Sequence, residues 1–319
     1  MSLTDASPAE TAEATRTPET ADATDTVESS TAEQQPRYRV HRAVVVARTQ
    51  LAPRFVRVTL GGPGLRGFRT SGAAAKTKIF LPAEPGAELV LPRIDENLRF
   101  VYPEGARPAI VRTYTVRDHR PESGEVDIDF AIHQNGPAAL WAATAQPGSA
   151  IGISDGNGQL PPTASDVLFV GDPASLPAIE TLAEELGADA SIRIILLACD
   201  HDDEVPLAES LSDTACRWVH APHGTDAGDV LVSAVCDELT RRATEHVWVS
   251  GESSSLKALR RYLRTRAGFA KSASPVVGYW RRTMATDEFE GNLFARVREA
   301  MTAGAELTRQ DVDEMTVDE

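Results

Sequence analysis

A chain of 319 residues is longer than one hydrophobic core usually serves, and its 42% hydrophobic content suits about two packed domains. Its 47 carboxylates against 32 lysines and arginines leave a formal charge of −15, which argues against nucleic acid, because counterion release needs clustered cations without an excess of acids. No apolar run reaches a bilayer span, and the opening MSLTDASPAETAEATRTPET lacks the charged and apolar regions of a secretory leader, so a cytoplasmic protein without membrane insertion is expected. Cys199, Cys216 and Cys236 form no C-x-x-C pair, so no metal centre is expected and the thiols read as small buried hydrophobes.

Residues 1–36 are mostly Thr, Ala, Glu, Asp, Ser and Pro, too poor in large apolar groups to offset ordering entropy, and read as a disordered acidic tail. From Tyr38 short β-prone runs follow: YRVHRAVVVAR, FVRVTL, KTKIFLP, VRTYTVR and EVDIDFAIH, separated by turns rich in Gly and Pro. In the last of these Val126, Ile128, Phe130 and Ile132 face one way and Asp127 and Asp129 the other. Short strands with one apolar face predict a small antiparallel β-barrel over residues 37–155.

The strand VRTYTVR places Arg112, Thr113, Tyr114 and Thr115 in sequence. Arginine offers a planar fork of donors to a diphosphate, tyrosine a flat face for a ring, and threonine a hydroxyl or backbone group for a polar flavin edge. The plainer reading is an ordinary strand, since Val, Tyr and Thr favour β structure anyway. Alternation puts Arg112 and Tyr114 on one face and Thr115 on the other, so Thr115 would have to reach a flavin through its backbone or at a bend.

Directly after His133, Gly136 frees a turn, Pro137 suits a first helical turn, and Ala138 to Ala145, including Trp141, form a short helix stopped by Pro147-Gly148. Its exposed N–H groups and dipole make a second candidate device for a pyrophosphate, although a short helix plugging a barrel end explains the same residues.

The stretch ISDGNGQLPPT, about Ile153 to Thr163, is turn chemistry with little periodicity and marks the expected boundary; the second domain is expected over residues 164–282. There the period changes. DVLFVGD, SIRIILLACD, CRWVHAP and HVWVSGE are buried strands alternating with amphipathic helices, which predicts an open parallel α/β sheet. Two strand ends turn into helices through small residues, at Gly171-Asp172-Pro173-Ala174 and at Gly251-Glu252-Ser253, which makes them the candidate nicotinamide-nucleotide site. No G-x-G-x-x-G is present. Residues 283–319 add an appended helix from about Asp287 to Met301 and a closing TRQDVDEMTVDE that reads as a loose acidic tail.

These motifs, in this order, resemble the siderophore-interacting proteins, flavin-dependent ferric-siderophore reductases related to the ferredoxin reductases. RTYTVR, DFAIH before GPAALWA, VGDPASLPAI, WVSGE before LKALRRYLR, and GYWRR carry the resemblance, from about Val40 to Arg282. It implies an FAD-binding β-barrel followed by a nucleotide-binding α/β domain. Arg112, Tyr114 and Thr115 would hold the flavin, with His133, Gly136, Pro137, Ala138 and Trp141 completing the site. Asp172, Gly251 and Glu252 would receive NADH or NADPH, Trp280 would cover the flavin or fill a core, and Lys78 and Arg281 would meet an anionic ferric siderophore. The chain departs from the family at Pro173 and Ala174, where an acid and a threonine are usual, at Ala75 and Lys76, where an Asp and a His are usual, and at Thr283, where a glycine is usual.

The chemistry implied is reduction of Fe(III) in a siderophore by NAD(P)H through FAD, in a monomer, with no protein acid, base or metal ligand required. Flavin-dependent oxidoreductases with another acceptor, and a flavin or siderophore carrier without catalysis, are the alternatives. Arg260, Arg261, Arg264 and Arg266 are read either as contacts to a 2′-phosphate or as complements to a helix C-terminus.

Overall fold

The computed structural model describes residues 39–95, 99–133, 136–282 and 286–318. The acidic tail expected at 1–36 and the departure at Thr283 lie outside the described residues.

The first half is a closed barrel. In chain order it contains β1 (Val40–Ala52), β2 (Phe55–Gly61), β3 (Ala73–Leu81), the two-residue pair β4 (Arg93–Ile94) and β5 (Phe100–Val101), β6 (Ile110–Arg120), β7 (Glu125–Ala131), the helix α1 (Pro137–Thr144), β8 (Ala150–Ser154) and β9 (Asn157–Gln159). Hydrogen bonding runs β6-β7-β2-β1-β8-β3 and returns from β3 to β6, so the antiparallel ring leaves no open edge. Val126, Ile128 and Phe130 are fully buried in the barrel core with Val58, Ile79 and Ile153, as the alternation of EVDIDF predicts. Each such side chain contributes roughly 2 kcal/mol by leaving water. Asp127 and Asp129, on the other face, are also buried, and each is held by an arginine, Arg120 and Arg57 respectively.

The stretch around Gly152 to Gln159 is more ordered than its composition suggests, because both β8 and β9 pair with β3. Glycine hides the strand signal here for a steric reason. A Cβ on Gly158 would lie 2.2–2.5 Å from three carbonyl oxygens of Ser71, Gly72 and Ala73, so the close approach admits no side chain.

The second half is a five-stranded parallel sheet in the order β12-β11-β10-β13-β14. Its elements are β10 (Asp166–Gly171), α2 (Leu176–Leu186), β11 (Ser191–Ala198), β12 (Ala215–His220), α3 (Ala227–Arg241), β13 (His246–Glu252), α4 (Ser253–Thr265) and β14 (Val276–Trp280). The strands are buried on both faces and read as continuous apolar runs, such as VLFV at 167–170. Helix α2 packs against the barrel as well as its own sheet: the Thr181 hydroxyl accepts the N–H of Ala74 at 2.9 Å, and Arg117 of β6 is clamped between Glu180 and Glu184 at 2.7–3.0 Å.

Helix α5 spans Thr286–Thr302, close to the expected appended helix, and Phe289 is buried on it. The closing residues correct the sequence reading. Instead of a loose tail, Arg309–Asp318 form a helix, α6, with Thr316 and Val317 buried against β14 and α4. Its acids are matched by basic side chains: Asp318 by Arg260, Glu314 by Arg264 and Asp311 by Lys271. An acidic decapeptide that looks solvated in isolation is matched by cations of α4 and by Lys271, and the apolar contact of Val317 adds the burial that its own composition lacks. Arg260 and Arg264 are thus committed to α6.

Candidate flavin and nucleotide site

The barrel part of the site is organised on β6. Arg112 pairs across the sheet with Ile79, Tyr114 with Thr77 and Thr115 with Lys76, so the strand runs regularly through the motif. Tyr114 lies on the core side, its ring 4.5 Å from Phe130, and Phe130 lies 5.9 Å from Trp141 of α1. Burial pushes the Tyr114 phenol above its ordinary range, so it stays protonated. Arg112, half-buried on the same face, donates to the carbonyl of Val111 at 2.7 Å.

Thr115 lies on the opposite face, 5% exposed, and pairs across the sheet with Lys76, whose ammonium lies 5.1 Å from the ring centre of Tyr279 of β14. Its side chain therefore faces away from Tyr114, and the motif's side chains for a ligand on the Tyr114 face are Arg112 and Tyr114. Lys78 also lies on the Thr115 side, where its Nζ donates to the Thr113 hydroxyl at 2.7 Å.

Helix α1 begins as its sequence predicts, with Gly136 in extended geometry and Pro137 at the first position, and no side chain caps it among the described residues. The N–H groups of its first turn, with the dipole, remain suited to an anion. His133 lies against this start, because a Cβ on Gly136 would sit 2.4 Å from its ring. That packing lowers the His133 pKa, although an edge of the ring meets solvent, and favours the neutral imidazole.

At the carboxyl ends of the parallel strands, Asp172, Gly251, Glu252 and Trp280 come together. The Asp172 carboxylate, 7% exposed, accepts the indole N–H of Trp280 at 2.8 Å and the backbone N–H groups of Glu252 at 2.9 Å and Ser175 at 3.1 Å. Burial holds the carboxyl above the usual range, with these donors working the other way. Gly251 is required here: its φ is +146°, and a Cβ would come within 2.7 Å of Asp172. Glu252 caps α4 by accepting the N–H and hydroxyl of Ser255, each at 2.8 Å.

Ser175 is a residue that the sequence reading missed. Its hydroxyl accepts from the Asp172 N–H and donates to the Asp172 carbonyl, both at 2.9 Å, closing the turn after β10 on itself. Pro173 and Pro177 bring no N–H, and those of Ser175 and Leu176 are bonded to Asp172, so this turn has few donors left for a diphosphate. The serine three residues after an aspartate was a readable signal for such a turn.

The two parts meet at β14. Tyr279 receives the Lys76 ammonium 5.1 Å from its ring centre, and Trp280 is the next residue in the strand. Arg281 is partly buried beside it, while the backbone N–H of Arg282 donates to Glu252 at 3.2 Å. Among the described residues no helix is long and apolar enough to cross a membrane.

A closed antiparallel barrel carrying an arginine-tyrosine strand, joined to a parallel sheet whose strand ends form a second polar site, defines the ferredoxin-reductase-like class. Phthalate dioxygenase reductase, solved as a module for electron transfer from pyridine nucleotides to [2Fe-2S], has this fold, with a TM-score of 0.54 at 15% identity over 77% of this chain and 70% of its own. Within that class the chain belongs to the siderophore-interacting proteins. Residues 44–160 match the siderophore-interacting FAD-binding domain and residues 164–283 the siderophore-interacting protein family. Ferric vibriobactin reductase ViuB of Vibrio cholerae is 30% identical over 243 residues, 74% of this chain and 88% of that protein. The crystal structure of a siderophore utilization protein from T. fusca superposes with a TM-score of 0.68 at 32% identity, covering 78% of this chain and 95% of that one.

The residues present fit FAD. A half-buried guanidinium, a protonated tyrosine face within an aromatic cluster, a neutral imidazole and an uncapped helix start supply the donor types that a diphosphate and a flavin ring require.

Proposed function

We propose that the protein is a cytoplasmic reductase that passes electrons from NADH or NADPH through FAD to Fe(III) in a siderophore, releasing Fe(II). The observation that carries this reading is the meeting of the barrel strand of Arg112 and Tyr114 with the nucleotide-side strand end of Trp280, through Lys76, which pairs with β6 and sets its ammonium 5.1 Å from the ring centre of Tyr279. When bound, FAD supplies the conversion of a two-electron hydride donor into single-electron transfer to the metal.

The chain's own residues bind and orient. Arg112 and the α1 start hold the diphosphate by charge and N–H donors. Tyr114 and Trp141 give the ring an apolar wall, and neutral His133 supplies a hydrogen-bonding edge without adding charge. Asp172, Gly251, Glu252 and Trp280 shape the entry for the dihydronicotinamide. Lys78 and Arg281 offer local positive charge to an anionic chelate on a protein whose overall charge is −15. Oxygen ligands hold Fe(III) far more firmly than Fe(II), so reduction itself loosens the metal.

Anaerobic absorption spectroscopy tests the proposal. The FAD-loaded protein should bleach with NADH or NADPH and recover its yellow colour on addition of a ferric siderophore. Failure to take up FAD on reconstitution overturns it.

A second reading is favoured by the self-closed turn at Asp172–Ser175, which has few donors to offer a nucleotide. In that case the flavoprotein holds FAD but is not bleached by either nucleotide, and Pro173→Glu with Ala174→Thr restores bleaching.

A further inference from the structure

We propose that His201, Glu204 and His220 form a binding site for one divalent first-row transition-metal ion, at the carboxyl-end edge of the parallel sheet and separate from the flavin and nucleotide residues. The Nδ1 of His201 and the Nε2 of His220 lie 2.7 and 2.9 Å from the same atom, Oε1 of Glu204. All three ligand atoms fall within 4.8 Å of one another, a spacing that an ion with bonds of roughly 2.0–2.2 Å can span. Two imidazoles and one carboxylate are a donor set for zinc, cobalt or ferrous iron, with coordination positions left for water.

The fold builds this convergence in. His220 is the last residue of β12 and pairs in register with Ala198, the last of β11, so the segment leaving β11 passes beside it. That segment makes a 3-10 turn over His201–Asp203, in which side chains three apart nearly eclipse, and this stacks His201 with Glu204. The two imidazole rings come to 4.4 Å between centres.

The turn is held independently of any metal. Asp200 caps it by accepting the N–H of Asp202 at 2.9 Å, and Asp203 accepts the N–H of Cys199 at 3.1 Å. Arg54, reaching over from the barrel, bonds Asp200 and Asp203 at about 3.0 Å. That guanidinium also decides between two neighbouring clusters. Cys199, Asp200 and Asp203 are close enough to share an ion, but Arg54 is the cation that their carboxylates already hold. Glu204 is left facing the two histidines, beside three further acids at positions 200, 202 and 203 whose field favours a cation.

The test is equilibrium dialysis of the untagged, FAD-loaded full chain against micromolar ZnCl2, with metal measured by mass spectrometry. About one zinc per chain is expected. His220→Ala and His201→Ala should each weaken binding by roughly tenfold or more, while Cys199→Ser leaves it unchanged. Retained FAD content checks that each variant is folded. Co2+ in place of zinc should give visible d–d bands that the histidine variants lose. The proposal is overturned if the wild-type chain holds no more zinc than a His201→Ala/Glu204→Gln/His220→Ala variant, if His220→Ala retains full affinity, or if Cys199→Ser is the substitution that removes it.

Discussion

Arg117→Met is the sharpest probe of how the barrel is fixed to the α/β half. Arg117 is 9% exposed, its Nε donates to Glu180 at 2.7 Å, and its two terminal nitrogens bond Glu184 at 2.7 and 3.0 Å. Glu180, at 3% exposure, also accepts the N–H of Ala208 at 2.7 Å. Removing one member of a buried pair strands the other charge and costs about 3–5 kcal/mol, and Met returns part of the packing, so a loss near 3 kcal/mol is expected at pH 8. For a chain of this size that lowers the melting temperature by about 6–12 °C.

The pH dependence fixes the cause. Burial raises the Glu180 pKa above the carboxylate range, against the opposing pull of Arg117 and the Ala208 N–H. A carboxyl whose folded pKa is raised contributes its stability in full below the unfolded pKa and loses it as pH rises through the folded value. Without Arg117 the folded pKa climbs further, so the deficit of the variant should shrink as pH is lowered and Glu180 takes up a proton. Arg117→Met/Glu180→Gln should recover part of the loss at pH 8, because the amide oxygen still accepts from Ala208. Differential scanning calorimetry at several pH values measures both effects. A melting temperature within about 2 °C of wild type at pH 8, or a deficit that grows on acidification, refutes the reasoning.

Arg112→Ala should weaken FAD by roughly 30-fold or more, the equivalent of about 2 kcal/mol for a charge-assisted contact, and fluorescence titration of the apoprotein would expose a misassignment if affinity held. Gly251→Ala forces a Cβ into Asp172 at a φ that side chains rarely adopt, so at least about 1–2 kcal/mol should be lost together with nucleotide-driven bleaching. Burial depresses the His246 pKa to about 4, so the wild type should lose stability as pH falls from about 6.5 toward 4, and His246→Gln should flatten that limb in urea titrations. Val317→Ala, at a fully buried position on α6, should cost about 1–2 kcal/mol, whereas a loose C-terminus would show no change.

Much of the architecture was legible because its signals are local and periodic. EVDIDF alternates and DVLFVG does not, and that contrast separates a barrel strand with one apolar and one ion-paired face from a parallel strand that is apolar on both. The arginine-tyrosine strand and the Gly136–Pro137 helix start were readable for the same reason. What escaped was set by partners distant in sequence. Nothing in Lys76 shows that its ammonium meets the ring of Tyr279, because about 200 positions separate them. The acids of α6 looked solvated since their counter-charges lie on α4 and at Lys271, and the strand at Asn157–Gln159 was hidden because its glycine serves a close backbone approach. Ser175 stayed unremarked beside the two departures at 173 and 174, yet it determines how many N–H groups that turn can present.

Strand β14 ends the parallel sheet, and α6 lies along it, with the Gly278 N–H bonded to the Thr316 hydroxyl. The C-terminal helix is thereby a guard on an edge that would otherwise offer unpaired main-chain groups to a strand from another molecule. Shortening the chain before Arg309 would convert a soluble sheet border into a template for intermolecular β addition, so self-association and precipitation, ahead of any fall in catalytic rate, would mark the loss of this segment.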